Sequence, residues 1–307
     1  MGNAQSENYN TKSIVDNTYM SKYNLIPSLP GHEYETITIK FLKKKYDLDS
    51  LDKVEKYVDL RSNFPNIINI GNIPLNPIAA ISYIIHYALL KNNLPIFPPS
   101  IIYIFNNLQF YKNVTSIMNL DIIFQSLLQN GFCSESELRT CEENIQCEVN
   151  SNVRDKAVAF KFINIHKVEN NLDTMKILIK NKYPILIGFT VYYDLSNVDS
   201  FMWMPDKSQD KKIGGLAGVI VGYIDDRKMF IVAQTFGDNF GERGYVLMPY
   251  EYVLDENYTF EKYILDFNSD RVRGYISQRR EMISLEQKPN TEVKQVYKKD
   301  MFNSLFS

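Results

Sequence analysis

The residues Gly214-Gly215-Leu216-Ala217-Gly218-Val219-Ile220-Val221-Gly222-Tyr223 are two glycines followed by an almost unbroken apolar series. Leu216 to Tyr223 reads as a buried strand, Asp225-Asp226-Arg227 as a polar turn and Met229 to Thr235 as the returning strand of a β-hairpin. Toward the C-terminus, Gly244 to Met248 is a further strand. Toward the N-terminus, Pro184 to Tyr192 reads as a buried strand, Leu172 to Lys182 as a short helix and Ala157 to Val168 as an alternating strand.

Upstream of residue 157 the period becomes helical. Asn76 is a favoured N-cap and Pro77 a favoured first helical residue, and Ile78, Ile81, Ile85, Ala88 and Leu89 recur at helical spacing, so a helix is expected over 76–92. Pro98-Pro99-Ser100 opens a second helix to about Tyr111, and a third runs from about Leu120 to Asn130 and stops at Gly131. Helices followed by strands imply an α+β protein with a helical lobe and a β lobe. The expected organisation is a tether and lead-in over 1–56, with one strand at Tyr34 to Leu42 and Lys43-Lys44-Lys45 on a solvated face. A domain over 57–267 follows, mainly helical to 156 and mainly β after it, and then a basic tail over 268–307. No internal repeat is visible.

The chain has 307 residues, 34 basic against 36 acidic, so its charge balance gives no sign of a nucleic-acid binder. No run approaches the roughly 20 apolar residues of a membrane span, and no secretory signal is expected. Asn, Ile, Lys and Tyr together supply 109 residues, and Lys outnumbers Arg 25 to 9. An AT-rich genome writes such a bias; large DNA viruses, some protists and some bacteria have one.

Met1-Gly2-Asn3-Ala4-Gln5-Ser6 matches the N-myristoylation pattern, with Gly2 as the acceptor. This predicts the cytoplasmic face of a membrane, or a virion, as the location. Residues 271–307 hold eight Lys or Arg and four Asp or Glu, with an apolar end at Met301, Phe302, Leu305 and Phe306; a short helix is expected from Tyr275 to Leu285.

Five segments, in order, resemble the papain-like cysteine peptidases. They are Val58-Asp59-Leu60-Arg61, then Gly131-Phe132-Cys133-Ser134-Glu135, then Tyr183-Pro184-Ile185-Leu186-Ile187-Gly188-Phe189, then the glycine pair with Leu216 to Tyr223, and finally Gln234-Thr235-Phe236-Gly237-Asp238-Asn239-Phe240-Gly241. The last is similar to the family's N-S-W-G-x-x-W-G, with Gln for Asn, Thr for Ser and Phe for each Trp. The resemblance spans about 57–267 and implies a papain-like two-lobe fold, helical on the left and β-barrel-like on the right.

The family's chemistry uses a thiolate, an imidazole, an Asn that orients it and a Gln that stabilises the oxyanion. Carried over, those positions are Asn76 for the thiol, Leu216 for the imidazole, Gln234 for the Asn and Ile70 for the Gln. Asn76 has no thiol, Leu216 takes no proton, Ile70 donates nothing, and Gln234 has no imidazole to orient. The resemblance therefore implies a degenerate homologue, a pseudopeptidase that is not an enzyme and acts as a structural or binding component; the composition and Gly2 add virion components or another protein as the expected partners. Two alternatives stand beside it: a hydrolase with relocated catalytic groups, and a peptide-binding module that uses the inter-lobe cleft. His32, His86 and His166 read as structural histidines. Cys133, Cys141 and Cys147, spaced by eight and six, lack zinc-site spacing and read as structural thiols, with one disulfide as the alternative. No cofactor or metal is expected, and Gly214-Gly215 lacks the Lys and Ser/Thr of a phosphate loop.

Overall fold

A computed structural model describes residues 23–46, 55–70, 73–108, 117–145, 147–195, 198, 200–206 and 208–286. Gly2, Gly71 and residues 287–307 lie outside that set, and with them the expected acylation position and the apolar end of the tail.

The strands are β1 (Thr36–Ile37), β2 (Tyr57–Asp59), β3 (Ile163–Val168), β4 (Ile185–Val191), β5 (Gly214–Ile224), β6 (Met229–Ala233), β7 (Tyr245–Pro249) and β8 (Thr259–Phe267). They form one eight-stranded sheet in the order β1-β3-β8-β4-β5-β6-β7, with β2 pairing the far half of β5. Among these described strands β1 and β3 pair in parallel and the other pairs are antiparallel. β4 is buried at all seven positions, which explains its unbroken apolar run: it is covered on both faces rather than half-solvated.

The helices are α1 (Ile39–Tyr46), α2 (Asn76–Lys91), α3 (Ile101–Asn106), α4 (Leu120–Asn130), α5 (Ser151–Ala157), α6 (Leu172–Lys180), α7 (Tyr250–Leu254) and α8 (Ser269–Glu286). Side chains fix several starts. Asn119 Oδ1 accepts from Ile122 N at 3.0 Å to open α4, and Asn171 Oδ1 accepts from Thr174 N at 3.0 Å to open α6. Gly131 ends α4 at φ 65°, where a Cβ would overlap the Ala157 carbonyl, so this position admits only glycine. α2 is the central element. It packs on α3 in the helical lobe and on β4, β5 and β8 in the other, and it is buried almost all round. α6 also packs on β4 and β5.

Three expectations need correction. The lead-in is part of the fold from residue 23: Tyr23, Leu25, Ile37 and Leu42 are core residues, and the expected strand at Tyr34 to Leu42 is a two-residue β1 followed by α1, which carries the lysine run. Ala157 to Val168 is not one strand: the end of α5 and a 3-10 turn (Val158–Phe160) precede β3. The tail does not start at 268, because α8 follows β8 after one residue and buries Val272 completely.

Candidate functional site at the head of the central helix

The Asp59-Leu60-Arg61 segment ties the β lobe to the approach to α2. Leu60 N donates to Val221 O on β5 at 2.9 Å, and Arg61 Nη2 meets Asp59 Oδ2 at 2.8 Å and Nη1 meets Glu242 at 3.5 Å. Burial works against the Asp59 carboxylate, but the hydrogen bonds from Arg61 and Tyr57 outweigh it and hold its pKa below the usual value. Asn69 then bridges to Phe236, and the chain turns through Ile70 into α2. Ile70 is buried and lines a cavity of about 490 Å³ on the helical lobe, beside Tyr83 and His86.

Asn76 does not cap α2, contrary to expectation. The cap position is Leu75, with no side-chain bond to the helix. The Asn76 amide turns to the other lobe instead. Its Oδ1 accepts from Ala217 N at 2.7 Å, and its Nδ2 donates to Ala217 O at 3.1 Å and to Thr235 Oγ1 at 2.8 Å. The Asn76 amide thus pairs both backbone groups of one strand residue, as a neighbouring strand would.

The reason lies in the edge of β5. From Val219 onward that edge is covered by β6, starting at the pair Val219 and Ala233. Two residues earlier, Ala217 is covered by Asn76. Two residues earlier again, Gly215 is covered by the N-terminal segment: Leu25 N donates to Gly215 O at 3.1 Å, and Gly215 N donates to Tyr23 O at 3.3 Å. The backbone groups along this edge are met by strand, side chain and segment in turn, as burial demands.

Residues 23–26 therefore lie between the lobes. On the helical side Met118 N donates to Asn24 O, and Ile26 N donates to Met118 O, both at 2.9 Å. Asn24 Nδ2 donates to Pro74 O at 3.0 Å, just ahead of α2, and Tyr23 Oη donates to Asp194 at 3.0 Å. The double glycine admits this approach, since a Cβ at Gly214 would overlap Tyr23 O and one at Gly215 would overlap Leu25 O. Downstream, Ser28 N donates to Glu261 at 2.9 Å, and Tyr34 Oη and His32 Nδ1 meet the Asp121 carboxylate at 2.6 and 3.0 Å. Burial pushes the Glu261 carboxyl above its usual pKa.

Leu216 is fully buried beside this arrangement, and so is Gln234. Gln234 N donates to Gly244 O at 2.9 Å, while its side-chain Nε2 and Oε1 have no hydrogen-bond partner among the described residues. A buried amide left unpaired costs about 1–3 kcal/mol. The structure thus brings Asn76 onto Ala217 and Thr235, the chain neighbours of Leu216 and Gln234, while Ile70 lines the helical-lobe cavity. Ala217, Thr235 and the 23–26 segment are site components that sequence reasoning missed; only the double glycine signalled a close backbone approach.

The cysteines lie apart, in the helical lobe. They are free, and burial pushes the Cys133 thiol up to about 12. His86 sits on α2, where burial lowers its pKa; His166, on β3, faces Glu35. No group of His, Cys, Asp and Glu among the described residues has the arrangement to hold a metal ion.

The comparisons match this architecture. The family described as papain family cysteine protease matches residues 119–262. The solved structure of xylellain, a cysteine protease from Xylella fastidiosa, superposes with a TM-score of 0.72 at 22% identity, over 81% of this chain and 97% of that one. The fold is papain-like. Digestive procathepsin L2 proteinase from the Tenebrio molitor larval midgut superposes with a TM-score of 0.64 at 15% identity, over 83% of this chain and 81% of that one. An uncharacterized peptidase C1-like protein of Acanthamoeba polyphaga mimivirus is 26% identical over 215 residues, 63% of this chain and 67% of the relative. The chain therefore has the α+β two-lobe architecture of the papain-like fold, the papain family cysteine protease model matches part of it, and it has a viral relative.

Proposed function

We propose that this papain-like chain is a non-catalytic member of its fold, a pseudopeptidase that serves as a structural or binding component. The observation that carries this reading is the Asn76 amide, closed on both backbone groups of Ala217, with the buried Leu216 next to it in the chain. Acyl transfer through cysteine needs a thiolate at a helix N-terminus and a base within hydrogen-bond reach. At the head of α2 this chain has a carboxamide, a leucine and a second carboxamide, and none of these exchanges a proton near neutral pH. The cleft reading is disfavoured, because the chain's own residues 23–26 lie between the lobes, bridged to Gly215 and Met118.

We further propose that Gly2 is acylated, that this places the protein on the cytoplasmic face of a membrane, and that it acts among virion components. The first hexapeptide supports acylation, and the mimivirus relative together with the AT-rich composition supports the viral setting. Intact mass of the native protein combined with membrane fractionation tests the anchor. The acyl mass should be present, and Gly2→Ala should move most of the protein to the soluble fraction. Membrane association unchanged in Gly2→Ala would reject the anchor. Labelling of the cleft by a thiol-directed peptidyl epoxide would reject the non-catalytic reading.

A further inference from the structure

We propose that a cavity between α8 and the helical lobe, away from the head of α2, binds a single-chain amphiphile with an anionic headgroup. The cavity holds about 520 Å³, within the roughly 300–1,000 Å³ of small-molecule sites. Its floor is aromatic: Phe97, Phe132 and Phe160 meet at centroid distances of 5.0 to 5.8 Å. Ile276 and Tyr275 of α8 form the opposite wall, held there by the buried Val272 one turn earlier. Such an interior favours hydrocarbon over water.

The lining's polar groups are mostly paired with one another. Ser134 Oγ and Ser136 Oγ are 2.8 Å apart, and Lys156 Nζ meets Glu137 at 2.8 Å. Arg279 meets Asp155 at 3.0 Å. The remaining capacity is one guanidinium: Glu137 takes up Lys156 and Asp155 takes up Arg279, which leaves Arg280 in the lining. Arg280 is exposed and has no ion-pair partner among the described residues. A carboxylate or similar headgroup at the mouth would meet this excess, with guanidinium offering paired donors. A neutral acyl chain would fill the apolar part and leave Arg280 unmatched, so the charge argues for a free anionic amphiphile. This proposal is independent of the chain's catalytic status.

Calorimetric titration of the full chain with dodecanoate, below its micelle concentration, tests it, with dodecanol as the uncharged control. One-to-one binding of dodecanoate is expected, with dodecanol weaker, and with affinity falling as ionic strength rises. Arg280→Glu, on an exposed position, should weaken dodecanoate by roughly 5-fold or more. Ile276→Glu, which puts a carboxylate on the apolar wall, should abolish binding. Absence of binding up to the solubility limit, equal affinity for dodecanol, or unchanged affinity in Arg280→Glu would overturn the proposal.

Discussion

Asn76→Ala isolates what the amide at the head of α2 does. The side chain is 2% exposed, and its partner Ala217 is 0% exposed, so water does not replace the lost bonds. Removal orphans Ala217 N and Ala217 O and takes a partner from Thr235 Oγ1. An orphaned buried backbone group costs about 1–3 kcal/mol, and two on one residue are not fully additive, so the expected loss is about 3 kcal/mol. Asn76→Leu restores volume without hydrogen bonds and should cost about as much, separating lost bonds from a cavity. Asn76→Asp keeps an acceptor for Ala217 N but sets a second oxygen against Ala217 O. Its carboxyl pKa is then raised in the folded state, so its stability falls as pH rises through that folded-state pKa, and the deficit against wild type narrows on acidification. Urea unfolding followed by far-ultraviolet circular dichroism measures each difference, provided the slope is unchanged. A loss below about 0.5 kcal/mol for Asn76→Ala would refute the view that this amide completes the β5 edge.

Three other outcomes follow from the same structure. Gly215→Val places a side chain where Leu25 O lies, so amide exchange at Leu25, Ile26 and Met118 should accelerate while the interior of β4 stays protected; unchanged exchange would mean that the segment is not seated by Gly215. Lys262 is buried with its ammonium on Thr259 O, and burial lowers its pKa from 10.5 to about 8. Between those values the unfolded chain holds the extra proton, so wild-type stability rises with pH across that window. Lys262→Met should lack that rise and be more stable at neutral pH by about 2 kcal/mol; a parallel pH profile would contradict this. Asn76→Cys, Leu216→His and Gln234→Asn together should give weak turnover or none: Ile70 supplies no oxyanion donor, a loss of roughly 10²–10³ in rate, and residues 23–26 occupy the groove. Robust turnover of a peptide substrate by the triple variant would show the groove open to substrate.

Local chemistry made much of the fold legible. The end of α4 was readable because Gly131 marks it. β4 and the β5–β6 hairpin were readable because their apolar runs are bounded by turn residues. What stayed hidden depends on partners distant in sequence. Asn76 looks like a cap because Asn and Pro together favour a helix start; that its amide serves β5 instead is set by where β6 stops. Tyr23 and Leu25 sit in a polar stretch without period, and their burial follows from the glycine pair about 190 residues away. β8 was missed because Glu261 and Lys262 interrupt its apolar pattern, and α8 started earlier than expected because only Val272 of its first turn is fully buried. At the site, the positions could be assigned by resemblance, but their bonding could not.

The most direct measurement is peptide-bond hydrolysis by the full chain, purified to constant specific signal and assayed against a quenched-fluorescence peptide library from acid to neutral pH. A variant with Cys133, Cys141 and Cys147 all changed to Ser serves as reference. Both proteins are expected to stay at the blank. Hydrolysis that copurifies with the chain and disappears in the cysteine-free variant would contradict it, because a thiol remote from Asn76 would then be acting as the nucleophile.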